Sequence, residues 1–232
     1  MELRNKYKDG LKDGIPIALG YLSVSFAFGL SAVNGGLFWW QAVVISMTNL
    51  TSAGQVAGLS LMLSFATLAE MAATQLVINL RYALMSLSLS QKLDASVTRL
   101  ERFVIAFFNT DEIFAVAASG GDVTTKYMLG LGTLPYFGWA TGTLLGAAAG
   151  SVLPAAITSA LGIAIFGMFI AIIVPVAKRS RAVLIVILIS ITISVLIRCF
   201  LPFVSSGFSI IICALAASLV GALVFPIKEE TV

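Results

Sequence analysis

The sequence predicts an all-α polytopic membrane protein with about seven to eight helical membrane segments, at least one of them discontinuous or re-entrant. Three observations carry this. Apolar residues make up 59% of the 232-residue chain and charged residues only 11%, against roughly 45–50% and 25% in soluble domains. Mean hydropathy is +1.03. Long apolar runs follow one another, with the charges gathered in the short stretches between them. A soluble domain of this size would have to show much of that apolar surface to water. The composition therefore excludes a cytosolic enzyme, a disordered chain and a disulfide scaffold.

Taken in order, residues 1–13 carry Arg4, Lys6, Lys8 and Lys12 against Glu2, Asp9 and Asp13, and read as a cytoplasmic N-terminal segment. The run 15–34 is a first span, longer than the apolar region of a signal peptide and followed by further spans, so it reads as uncleaved. The window 37–90 holds only two charges, Glu70 and Arg81. It has room for two crossings, or for one crossing and a re-entrant element. A cluster follows at Lys92, Asp94, Arg99, Glu101 and Arg102, then a short apolar stretch, 103–119. Clear spans lie at 127–149, 156–177, 182–201 and 207–226, and 228–232 is a C-terminal tail. A spanning helix needs about 20 apolar residues, whereas a barrel strand would alternate over ~10. Residues 14–227 thus form a single transmembrane domain. Most of the six prolines fall at or near these predicted ends, where a missing N–H costs least.

Basic loops orient the chain. The positive-inside rule places the N-terminus and the loop with Lys178, Arg179 and Arg181 in the cytoplasm, and the C-terminus with them. The 91–102 loop has three basic and two acidic side chains, net +1. Two full crossings in 37–90 put it outside. One crossing and a re-entrant element put it inside, with 103–119 then re-entrant as well. A faint internal symmetry accompanies this: Gly14-Ile15-Pro16 through Gly29 and Thr133-Leu134-Pro135 through Gly146 each pair a proline with small residues.

Absences narrow the chemistry. With no His in the chain, imidazole metal sites, Ser-His catalysis and His proton relays are excluded. No P-loop pattern is present, so this chain does not use ATP. Cys199 and Cys213 both lie in apolar runs and read as buried membrane residues, not as a disulfide or metal pair. The pI near 9.0 reflects orientation signals rather than nucleic-acid binding. No cofactor or metal is expected.

The informative polar residues interrupt apolar runs. In Asn109-Thr110-Asp111-Glu112 two adjacent carboxylates sit midway along 103–119, and each charge at the bilayer centre costs ~2.5–3.5 kcal/mol on insertion scales. The order also reads as a helix start, with Asn109 or Thr110 as N-cap and two acids in the first turn. A helix start at that depth implies a discontinuous helix, the device by which transporters build midplane sites. A capped amphipathic helix at the membrane surface is the plainer alternative. Glu70 and Arg81 are eleven residues apart, about 16 Å along one helix, too far for a direct pair. Arg81 with Asp111 or Glu112 is the pairing to expect, while Arg81 otherwise snorkels to an interface, as Arg198 does. Glu70, away from Arg81, is the candidate for carrying a coupling proton. The second interruption, around Asn49, Ser52 and Gln55, carries hydroxyls, amides and Gly54, and reads as a polar lining or as a turn between spans. Gly142, Gly146 and Gly150 form a small-residue face for close helix packing.

These residues also resemble a family. Gly14-Ile15-Pro16-Ile17 with Gly20-Tyr21 and Ala27-Phe28-Gly29 resembles the opening of the AzlC-type branched-chain amino-acid permeases. Asn79-Leu80-Arg81-Tyr82 resembles their D/N-x-R-H segment, Thr110-Asp111-Glu112 with Phe114-Ala115 their T-D-E-x-F-A motif, and Trp139 with Gly142-Thr143, Gly146 and Gly150 their W-x-x-G-T-x-x-G segment. Leu161-Gly162 with Met168-Phe169-Ile170 and Pro175 fits the next span, so the resemblance runs over 14–177. It departs at Tyr82, where the family has His, and at Thr51-Ser52-Ala53-Gly54-Gln55-Val56. It implies export of branched-chain and related neutral amino acids from the bacterial cytoplasmic (inner) membrane, usually with a small AzlD-type membrane subunit. Asp111 and Glu112 would bind the substrate ammonium or a proton, Arg81 would pair with them or take the carboxylate, and Thr110, Asn49, Ser52 and Gln55 would complete the lining. A homo-oligomer is compatible with the glycine face. The competing classes are a membrane enzyme, which lacks a His or a second membrane Asp, and a non-transporting subunit of a larger complex, for which the buried charges would be needless cost.

Overall fold

The computed structural model describes residues 5–150, 167, 170 and 173–226, and those residues are almost entirely helical. The predicted span 156–177 falls largely outside them. In chain order the named helices are α1 (Tyr7–Asn34), α2 (Trp39–Thr48), α3 (Ser52–Leu63), α4 (Leu68–Ser90), α5 (Arg99–Phe108), α6 (Asp111–Ala118), α7 (Thr125–Gly150), α8 (Arg181–Phe200) and α9 (Ser206–Val224). Among the described residues α1, α8 and α9 are long and apolar enough to cross a membrane. With 23 and 26 residues, α4 and α7 have the length, but charges in the one and glycines, threonines and aromatics in the other lower their hydropathy. Contacts divide the chain into two compact units, 1–56 with 79–165 and 57–78 with 166–232.

The first unit is built on α1 and α7. Gly10 faces Tyr127 and Leu131, Gly14 faces Leu131 and Pro135, Gly29 faces Thr143 and Ala147, and Gly142 and Gly146 face Leu22 and Phe26. Numbers rise together along both helices, so the two run parallel. At Gly146 an added methyl would overlap the Phe26 carbonyl, so glycine is what lets the two backbones touch. At Gly150, by contrast, an added methyl would press only on the end of the flexible Leu30 side chain, at 3.3 Å.

Two prolines depart from the sequence reading. Pro16 and Pro135 lie inside α1 and α7, not at their ends. The polar segment from Tyr7 is itself helical, held by Tyr7 to Thr133 (3.1 Å) and by Tyr127 to Asp13 (2.6 Å), so each helix starts between two and three turns before its proline. Pro135 removes the N–H that would reach the Leu131 carbonyl, and that carbonyl is the one turned toward Gly14. Helix packing thus uses the group that the proline frees.

Between α4 and α7 the chain makes a closed excursion. Val123 N–H donates to the Lys92 carbonyl (2.9 Å) and Asp94 N–H to the Val123 carbonyl (3.0 Å). The Lys92 ammonium caps the Ala118 and Gly120 carbonyls, and the Thr125 hydroxyl reaches Glu101. Both ends of the excursion are thereby pinned to the start of α7. Laid end to end, α5 and α6 would carry the chain about 27 Å away, so they run out and back. Asn109 makes the turn: φ −77° and ψ 78°, with Thr110 N–H donating to the Phe108 carbonyl at 2.8 Å, is an inverse γ-turn. The 91–98 loop therefore lies at the same end of this unit as Lys6, Lys8 and Lys12. Val97, Ile105, Ile113, Val123, Tyr127 and Leu131 belong to one buried cluster with Tyr21 and Trp139.

In the second unit α8 and α9 form an antiparallel pair, with Gly221 against Val186 and N-caps from Ser180 and Ser205. Cys213 is buried, but Cys199 is exposed, contrary to the sequence reading. Only 6% of the apolar window of α8 is buried, so most of its residues, Cys199 among them, face outward.

Candidate functional site

The turn at Asn109 is set up by strong local signals. Thr98 caps α5 and exchanges hydrogen bonds with Glu101, its N–H donating to Glu101 Oε2 at 2.8 Å. Bonds from the Thr98 backbone and hydroxyl hold the Glu101 carboxyl below its ordinary range. The Ser96 hydroxyl and N–H do the same for Asp94. After the turn Thr110 caps α6, its hydroxyl accepting from Ile113 N–H, with Asp111 and Glu112 in the first turn where the helix dipole favours them.

Side chains leave the 109–112 stretch in two directions. Asn109 and Asp111 reach α4: Asn109 Nδ2 donates to Ser86 Oγ at 2.9 Å, and Arg81 Nη1 lies 2.9 Å from Asp111 Oδ2. Arg81 also sits 5.0 Å from the centre of the Tyr82 ring and donates to its hydroxyl at 3.2 Å. Thr110 and Glu112 reach α1, both 2.6 Å from the Tyr21 hydroxyl. A phenol has one proton, so Tyr21 donates to the Glu112 carboxyl oxygen and accepts from the Thr110 hydroxyl. Asn109 is 3% exposed, and its Oδ1 has no hydrogen-bond partner. An orphaned buried acceptor of this kind costs about 1–3 kcal/mol.

The second interruption is a break between α2 and α3. Asn49 leaves the helix in an extended conformation, φ −145° and ψ 114°, and its side chain accepts from the Thr51 N–H (2.9 Å) and hydroxyl (2.7 Å). Gln55, 2% exposed, donates to the Asn49 carbonyl and accepts from Trp139 Nε1 at 3.2 Å. Ser46 bonds Thr143 at 2.7 Å. Helices of 10 and 12 residues reach about 15–18 Å, half a bilayer core.

The two breaks meet through one aromatic contact. Tyr21, bonded to α6, and Trp139, bonded to Gln55, lie edge to face with ring centres 5.0 Å apart. The chain Glu112–Tyr21–Trp139–Gln55–Asn49 therefore links both polar interruptions across the α1/α7 pair.

The structure thus brings Arg81, Asn109, Thr110, Asp111 and Glu112 together, and Asn49 with Gln55. Ser52 is the first residue of α3. Glu70 joins a different network: buried, it accepts from the Ser205 hydroxyl and from Gly207 N–H at 3.1 Å, at the start of α9. Reading polar residues alone passed over Tyr21, Ser46, Ser86, Trp139 and Thr143 as site groups. A tyrosine or tryptophan inside an apolar run must find a partner for its O–H or N–H, and that requirement was the available signal.

Comparison with known proteins agrees with these motifs. Residues 16–153 match the AzlC protein family. The chain is 27% identical over 145 residues to the inner membrane protein YgaZ of Escherichia coli, covering 60% of this chain and 59% of that protein. It is 30% identical over 140 residues to a membrane protein of Archaeoglobus fulgidus, covering 60% and 61%, and 28% identical over 144 residues to one of Helicobacter pylori, covering 60% and 62%. The chain thus spans about three-fifths of the length of the relatives it matches. No solved structure matches it. The family match takes in α1 to α7, with both helix breaks and the ion pair, and on that match the chain belongs to the AzlC family.

Proposed function

We propose that this protein is a secondary transporter, not an enzyme, that exports branched-chain or related neutral amino acids across the bacterial cytoplasmic membrane. The observation that carries the reading is the pair of polar helix breaks joined by Tyr21 and Trp139. Broken helices at membrane depth expose backbone groups to a substrate without exposing them to lipid. Arg81, Asp111 and Glu112 supply charges of both signs, as a zwitterion requires.

The topology that fits has α1, α4, α7, α8 and α9 crossing the membrane, with α2/α3 and α5/α6 as re-entrant pairs from opposite faces. Counting each pair as one segment gives seven among the described residues, and the span expected from the sequence at 156–177, outside them, is the eighth. Lys6, Lys8, Lys12, Lys92, Arg99 and Arg102 then share the cytoplasmic face. Phe38, Trp39 and Trp40, exposed at the start of α2, sit in the outer aromatic belt. An AzlD-type subunit, or a second copy, covers part of the outward apolar surface.

Counterflow of labelled valine into proteoliposomes tests the function. Accumulation driven by unlabelled valine inside is the expected result, and a rate equal to that of empty liposomes overturns it.

A further inference from the structure

We infer that the turn between α5 and α6 holds a cation subsite centred on Asn109 Oδ1. The Asn109 amide nitrogen is satisfied by Ser86 at 2.9 Å, while Oδ1 is buried without a partner. An orphaned oxygen acceptor calls for a donor or a positive charge. Its setting selects the charge. Asn109 is the C-cap of α5, so the negative end of that helix dipole points at it. Of the two carboxylates that follow, Asp111 pairs with the Arg81 guanidinium, and Glu112 accepts from the Tyr21 hydroxyl. The turn therefore gathers two acidic side chains against the one guanidinium of Arg81.

Two sources share this chemistry: the ammonium group of an amino-acid substrate, and an inorganic sodium ion, which takes amide, hydroxyl and main-chain oxygens. The substrate arm rests on the transport reading above; the sodium arm does not. In either case the cation would satisfy Asn109 Oδ1 and add to the ties that already hold the α5–α6 turn to α4, Asn109 to Ser86 and Asp111 to Arg81.

Thermal unfolding of the purified full chain in detergent tests this without any flux assay. The probes are sodium against choline chloride at equal ionic strength, and isobutylamine and L-valine against 2-oxoisovalerate, which lacks the ammonium. The expected result is a concentration-dependent rise in Tm with sodium, or with both amine probes but not with 2-oxoisovalerate. Asn109→Ala is expected to raise the half-maximal concentration of the active probe about tenfold. Asn109→Asp, nearly equal in volume and more negative, is expected to keep or strengthen the response and guards against misfolding of the alanine variant. A wild-type Tm that responds to none of the cations, or an Asn109→Ala response equal to wild type, overturns the subsite. Failure of valine counterflow with an intact sodium response would overturn the transport reading alone.

Discussion

The Tyr21 hydroxyl lies 2.6 Å from the Glu112 carboxylate and donates to it, while the Tyr21 ring packs edge-on against Trp139 at 5.0 Å. One side chain of α1 thus touches the polar groups of one helix break directly and those of the other through a single ring. Any movement of α6 that releases Glu112 also frees Tyr21 from one of its two anchors. On the transport reading, this contact is expected to couple rearrangement of one break to the other.

Tyr21→Phe keeps the ring and removes the donor. A hydrogen bond to a charged group contributes roughly 1.5–3 kcal/mol, so valine exchange is expected to fall at least about tenfold with the protein still inserted. Trp139→Phe keeps an aromatic ring and loses the bond to Gln55, and it is expected to slow exchange as well. Wild-type exchange in both variants would remove the Tyr21–Trp139 contact from the mechanism.

Arg81 and Asp111 are close enough for their substitutions to couple. Asp111→Asn is expected to abolish transport while the chain still inserts. The ion pair is nearly half-exposed on both sides, 45% and 42%, so it should contribute little to folding. Thermal unfolding of Arg81→Gln, Asp111→Asn and the double variant separates the roles. A small coupling in Tm with complete loss of flux assigns the pair to substrate handling; a large coupling in Tm assigns it to the fold.

Much of this was legible in the sequence. Asn109-Thr110-Asp111-Glu112 declared a helix start inside an apolar stretch because capping and dipole rules act locally. The Arg81–Asp111 pair followed from charges too costly to leave alone. That the 91–98 loop shares an end of the first unit with the start of α1 was not legible, because it depends on a non-local hydrogen-bonded pairing, Leu93 with Val123, that local pattern does not announce. Nor was the depth of Pro16 and Pro135 within their helices, since the polar start of α1 reads as a tail until Gly10 and Gly14 are seen against α7.

That loop gives a direct topological prediction. In a background with Cys199 and Cys213 replaced by Ser, Ser96→Cys is expected to react with a membrane-impermeant maleimide only from the cytoplasmic side, and Phe38→Cys only from outside. Labelling of both from the same side would contradict the two re-entrant pairs.

Gly146→Leu tests the α1/α7 contact. A side chain there would run into the Phe26 backbone carbonyl, which no rotamer change relieves. Overpacking of this kind costs about 1–3 kcal/mol or more, so a clear drop in Tm or failure to accumulate is expected. Gly150→Ala, where only Leu30 and Val33 are near, is expected to be close to neutral. Equal behaviour of the two variants would show that the helices are not packed at Gly146.

Glu70 is where two roles part. The sequence offers it as a proton carrier, an acid in an apolar run away from Arg81. In the structure it accepts from the Ser205 hydroxyl and the Gly207 N–H at the first turn of α9, two donors that tie it to the start of that helix. A carboxylate so placed caps the helix, and losing a cap costs about 1 kcal/mol. Glu70→Gln keeps an oxygen acceptor but loses the charge. The expected outcome is a lower Tm with the pH response of export unchanged between two external pH values. If the variant instead loses its pH response while exchange at fixed pH persists, Glu70 carries the coupling proton and the cap is secondary. If the pH response survives, Glu70 is not the coupling group and the proton site moves to Asp111 or Glu112.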